Sequence, residues 1–204
     1  ELFLNCDISG VGTLNYTGSS NGITAAAKIV VSGITIDSAG SDASLLYITS
    51  STGIVLDGGV TILNGFNNIV INGVTNSLEI NSAFVKDARN DNIFCIQGKR
   101  FVVGRGAFIS GAVGWGVNCD SSAASSPDQQ HGFILDGQYW GNEAGGIRVV
   151  GLAGNYTQHP MICGHIDHNQ NDGNSNPAYG VYLDYVTRPI VGPALIRAHR
   201  TVGI

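Results

Sequence analysis

Apolar positions in this chain fall in short alternating runs, set apart by turns rich in Gly, Asn and Ser. Four decapeptides show the spacing: "FVKDARNDNI" (84–93), "FISGAVGWGV" (108–117), "QYWGNEAGGI" (138–147) and "LIRAHRTVGI" (195–204). Each has an apolar second residue (Val85, Ile109, Tyr139, Ile196) and an aliphatic one eight positions on (Ile93, Val117, Ile147, Ile204). "HIDHNQNDGN" (165–174) begins the same way and reaches Gly180-Val181 only after extra residues. The interval runs from 24 residues (Phe84 to Phe108) to 34 (Ile147 to Val181), so the loops vary while the runs keep their length. A fixed pattern at such intervals is the mark of a repeat architecture.

Each repeat reads as three short strands. The first set comprises Ile34–Ile36, Val60–Ile62, Phe84–Lys86, Phe108–Ser110, Gln138–Trp140, His165–Asp167 and Leu195–Arg197. The second comprises Leu45–Ile48, Ile69–Ile71, Ile93–Ile96, Val117–Asp120, Ile147–Val150 and Val181–Asp184. The third comprises Ile54–Asp57, Leu78–Ile80, Phe101–Val103, Phe133–Leu135, Met161–Cys163 and Pro189–Val191. No such unit buries its apolar side alone; stacking units about 4.8 Å apart lets each strand hydrogen-bond to its counterparts above and below. The prediction is an all-β, single-stranded parallel β-helix with three strands per rung and about seven rungs. Residues 1–204 form one domain in this reading, with 1–27 fitting the pattern loosely. Asn-Gly pairs at 21–22, 64–65 and 72–73 are hairpin signals and support a rival antiparallel sandwich. A sandwich does not generate one three-strand pattern at these intervals.

Composition agrees with short strands. Glycine accounts for 29 of 204 residues, proline for 5, and charged residues for only 12%, about half the usual share. The net charge of −5 and the absence of a basic run argue against a nucleic-acid surface. No apolar stretch is long enough to insert in a bilayer. Cys6, Cys95, Cys119 and Cys163 show no zinc spacing, and no metal or cofactor is expected. Strand alternation sends Ile93 and Cys95 inward over Val117 and Cys119, then Ile147/Val149 and Val181/Leu183. Cys95 and Cys119 are therefore expected as a buried thiol pair, since strand neighbours rarely meet disulfide geometry.

The segment "GFILDGQYWGNEAGGIRVV" (132–150) resembles the rungs of pectin-lyase-like right-handed β-helices, and most of all the shaft of bacteriophage tailspikes. The resemblance covers about residues 28–204 as a rung pattern and includes no catalytic signature. It implies a homotrimeric virion protein that recognises bacterial surface polysaccharide during host attachment, and in many cases depolymerises it. A secreted lyase or glycoside hydrolase and a purely structural shaft or adhesin are the alternatives. The resemblance also implies a fragment of a longer spike, because the pattern is still running at Ile204.

Candidate chemistry lies on the outward columns. One column after the inward residue reads Lys86, Ser110, Trp140, Asp167, Arg197; three positions further it reads Arg89, Val113, Glu143, Gln170, Arg200. Trp140, His165, His168, Arg197 and His199 suit a sugar, whose apolar face stacks on aromatic rings and whose hydroxyls need donors and acceptors. Glu143 and Asp167 are the candidate acid and base of a glycoside hydrolase, offset enough to admit a water. The competing reading makes both of them ordinary ion-pair partners, Asp167 with Arg197. Asp120 with Asp184, and Asp136 with Asp128, are weaker pairs that equally suit turn closure. A calcium site at Asp167, Asp172 and Asp184 is weaker still, having no oxygen-ligand loop. The His165-x-Asp167-His168 run lacks a third metal ligand. Asn142 and Asn169 are read as an amide ladder, and Trp115 as a turn residue. The sequon matches at Asn15 and Asn155 carry no weight in a phage protein. Loops 121–131, 151–160 and 171–179 frame the surface on the same repeats.

Overall fold

The computed structural model describes residues 2–4, 6–25, 29–40, 42–49, 53–72, 78–99, 101–121, 130–131, 133–151, 157–158, 160–167, 169 and 179–197. Among these residues the chain is all-β, and every strand pairing is parallel. The antiparallel sandwich is thereby excluded. The Asn-Gly pair at 64–65 closes no hairpin: Asn64 takes a left-handed φ of 64° in the turn that carries the chain from Val60–Leu63 to Ile69–Asn72.

Two sheets hold nearly all the strands. In the first, Leu2–Leu4, Ile23–Ala25, Leu46–Ile48, Ile69–Asn72, Ile93–Lys99, Trp115–Asp120, Gly145–Val150 and Tyr179–Asp184 follow one another, each bonded to its counterpart one repeat away. This is the second predicted set, extended to the N-terminus. The other sheet unites the first and third sets. Ile54–Asp57, Leu78–Ile80, Phe101–Val103, Phe108–Ser110 and Gln138–Trp140 match their predicted bounds to the residue. Elsewhere the sequence divides what the backbone joins, as in Met161–Asp167 and Ile190–Arg197, or gives only part of it, as with Ile34–Ile36 of Ile29–Asp37; all three strands run through both rows. They turn within the strand at Gly33, Gly164 and Gly192, whose φ values of 71°, 85° and 133° favour glycine.

The core lies between the sheets. Ile69, Ile93, Val117, Ile147 and Val181 stack in register and are fully buried. Cys95 and Cys119 pair directly, both buried and both free thiols, with Val149 next and a less buried Leu183 after it. The hydrogen bond with Cys95, and burial after it, push the Cys119 thiol well above its ordinary pKa. Phe101 and Phe133 meet edge to face, ring centroids 6.1 Å apart. Residues 8–15, expected to fit loosely, pair with Ile29–Asp37 through a register shift between Ser9 and Gly12. Loop ends add a short third ladder, joining Gly98 to Gln130, His131 to Gln158 and Thr157 to Val186.

Candidate functional site

Tyr139, Ile166 and Ile196 point into the core, so the residues that follow them face outward in one column. The register makes Lys86, Ser110, Trp140, Asp167 and Arg197 successive neighbours, as the sequence pattern predicts. Trp140 is 49% exposed, whereas Asp167 beside it is 3% exposed. Arg197 Nε donates to Asp167 Oδ2 at 2.5 Å. His165 Nε2 stands 3.3 Å from the same oxygen. Among the described residues Nε2 makes no hydrogen bond, although it is buried. The contact is one of charge, present when the imidazole is protonated. Asp167 is thus the ion-pair partner of Arg197.

Glu143 sits apart from this group, in the turn 141–144 that leads to the other sheet. Its N–H donates to Ala112 O at 2.8 Å and that of Val113 to Ala88 O at 3.0 Å, which stacks Arg89, Val113 and Glu143 as expected. Arg89 reaches sideways to Asp42 at 2.6 Å. Among the described residues no hydrogen bond or ion pair joins Glu143 to Asp167 or to an arginine. His168, His199, Gln170, Arg200, Asp128 and Asp172 lie outside the described residues, as do most of the three long loops.

The weaker carboxylates have partners. Asp120 and Asp184 flank Val150 in register, and Asp120 Oδ2 accepts from Arg148 Nη1 at 2.6 Å. Asp136 Oδ2 accepts from Arg105 Nε at 2.8 Å. The asparagine ladder is longer than predicted. Asn68 donates to Asn92, Asn92 to Asn142 and Asn142 to Asn169, over 2.7, 3.1 and 2.9 Å, all four residues fully buried.

One cluster escaped the sequence reading. Trp115 belongs to a strand rather than a turn, shares a register column with Gly145 and Tyr179, and lies nearly parallel to Tyr179 with centroids 6.2 Å apart. Tyr182 packs against both rings. Gly145 makes this contact possible, because a Cβ there would collide with the Trp115 ring. Beside them Asp91 is 3% exposed and accepts from Trp115 N–H at 2.7 Å and Asn118 Nδ2 at 2.8 Å. Burial raises its pKa despite these donors and Arg148 nearby. The signal was present in the Trp-Gly-Tyr column, but the residues straddle a turn-to-strand boundary that periodicity does not place.

Two hollows open on the sheet that carries Trp140. One of about 360 Å³ is lined by Phe108, Ser110, Gly111, Trp140 and Gly141. The other, of about 290 Å³, lies further back along the same strands and includes Gln138 and His165. An exposed indole between two concavities, with an arginine and a buried carboxylate alongside, suits a ligand with apolar and hydroxylated faces. No family model, no curated protein and no solved structure matches this chain.

Proposed function

We propose that the chain is the right-handed, single-stranded parallel β-helix of a tailspike-like virion protein, about seven rungs long, that binds bacterial surface polysaccharide as a homotrimer during host attachment. The fold part of this reading is supported by parallel pairing in which each strand's partners lie one repeat earlier and one repeat later. The observation that carries the function is the half-exposed Trp140, set in register between Ser110 and the Asp167–Arg197 pair. An indole face stacks on the C–H face of a sugar, and the adjacent ion pair offers donors and acceptors to its hydroxyls.

Cleavage would be a further property of the chain, with Glu143 in the adjoining turn and Asp167 as acid and base. Glycan arrays of capsular and O-antigen polysaccharides test the binding reading. Trp140→Ala is expected to weaken the glycan hit by roughly tenfold or more, in line with about 1–3 kcal/mol for a stacked ring. Retained affinity in that variant, or no glycan bound at all, would sink the proposal. A reducing-end assay with Glu143→Gln alongside decides cleavage: new ends that vanish in the variant make the protein a depolymerase.

A further inference from the structure

Gly137 and Gly164 are among the residues that line the hollow behind Trp140, and neither position admits a side chain. A Cβ on Gly137 would stand 2.7 Å from Val103 Cγ1, and one on Gly164 would collide with Gly137 O. Gly164 also holds a φ of 85°, which disfavours any side chain. The space, of about 290 Å³, is also lined by Arg105, Asp136, Gln138 and His165.

Its position relative to the proposed site follows from the strands. Gln138 and Trp140 share one strand and His165 and Asp167 the next, paired Gln138 to His165 and Trp140 to Asp167. Residues two apart on one face are about 6.6 Å apart, somewhat more than one sugar ring. A glycan stacked on Trp140 and running along the strands would place its neighbouring unit, or a substituent of that unit, in the hollow.

Arg105 gives the hollow its chemistry. Its side chain is 81% exposed, yet its direction is fixed by the Nε bond to Asp136. Asp136 is its one side-chain partner among the described residues and engages only Nε. The two terminal nitrogens keep their donor fork open, a geometry that matches the paired oxygens of a carboxylate or phosphate. His165 lines the same space, with its Nε2 3.3 Å from Asp167 Oδ2. Asp136 and Asp167 are each occupied by an arginine, which limits their repulsion of an incoming anion.

We propose that this hollow is a subsite for an anionic substituent of the bound glycan, a carboxylate or a phosphate, with the Arg105 fork as its specificity determinant. The inference rests on the glycan-binding reading above. The probes are capsular polysaccharides in matched forms: uronate-bearing, the same polymer after carboxyl reduction, and a phosphate-bearing polymer before and after dephosphorylation. The full chain is expected to prefer one native anionic form over its neutralised counterpart by roughly ten- to a hundredfold, the worth of a charge-assisted fork. Arg105→Ala should bring the native form down to the level of the neutralised one, and Arg105→Lys should recover only part of the difference. Which pair discriminates identifies carboxylate or phosphate. Trp140→Ala should weaken both members of the pair alike. An unchanged unfolding midpoint in Arg105→Ala separates lost recognition from lost fold. Equal binding of native and neutralised forms, still dependent on Trp140, would overturn the subsite and leave the glycan reading standing. Binding of none of the probes, with the wild-type chain folded, would overturn both.

Discussion

Asn92 Nδ2 donates to Asn142 Oδ1 across 3.1 Å, although fifty residues separate the two in sequence. The bond passes over a whole repeat. Asn68 and Asn92 stand one residue before their second-set strands, where the next two repeats have Gly116 and Gly146; Asn142 and Asn169 stand two residues after their first-set strands, where earlier repeats have Ala88 and Ala112. The ladder thus changes its sequence offset without breaking. It can do so because a Cβ on Gly116 would lie 2.9 Å from Asn142 Nδ2, and one on Gly146 would lie 3.1 Å from Asn169 Nδ2. Glycine at these positions leaves room for an amide that comes from another part of the repeat.

Removing the middle of that ladder should be costly. Asn142 Oδ1 accepts from Asn92 and from Ala112 N–H, while its Nδ2 donates to Ile109 O and Asn169 Oδ1. Asn142→Ala strands several buried groups and is expected to destabilise by about 3 kcal/mol, or roughly 10 °C in the unfolding midpoint. Thermal unfolding followed by circular dichroism checks it. A shift within a degree or two would show that water or neighbours replace the amide.

Gly116→Ala should act on the same ladder by crowding. Its Cβ would stand 2.7 Å from Gly146 O as well as 2.9 Å from the Asn142 amide. Backbone on one side cannot yield cheaply, so a loss of about 1–3 kcal/mol is expected. Gly40→Ala, where nothing lies within contact of a new Cβ, is a strain control because its φ of 81° penalises alanine without crowding.

Thiol chemistry reads the core directly. Cys6 is exposed, whereas Cys95, Cys119 and Cys163 are buried; burial raises the Cys163 thiol above its ordinary pKa, and the Cys95 hydrogen bond together with burial raises that of Cys119. A disulfide-exchange reagent at neutral pH should therefore label one cysteine of the folded protein rapidly and the others only on unfolding. Rapid labelling of Cys95 or Cys119 would contradict the packing between the sheets.

Asp91 should leave a signature in the pH dependence of stability. Its folded pKa lies above the ordinary value of 3.8, with burial as the main cause. The stability it contributes is therefore full below that value and is lost as pH rises through the raised folded pKa. Asp91→Asn should flatten this part of the curve. Unfolding midpoints measured from acid to neutral pH in both proteins test it, and parallel curves would assign the slope to other groups.

Much of the architecture was legible in the residues themselves. Period-two burial is a property of any strand with one buried face, so the inward run Tyr139, Ile166, Ile196 and the outward run Trp140, Asp167, Arg197 follow from spacing alone. The cysteine pair and the Asn142–Asn169 contact follow from the same stacking. Other features depended on contacts that no local pattern encodes. Whether two strands merge through Gly33 or Gly164 depends on the backbone turning within a continuous ladder, and the sequence shows only a glycine. Trp115 reaches Tyr179 only because Gly145 in the repeat between them leaves the surface bare. Asp167 reads as an exposed carboxylate in sequence and is buried in the fold, because Arg197 from the next repeat is bonded to it. Sequence determined the period, the faces and the composition of each column, since these are set by alternation along one strand. Tertiary structure decided which side chains cross from one repeat to another, because those contacts depend on the size of the residue in between.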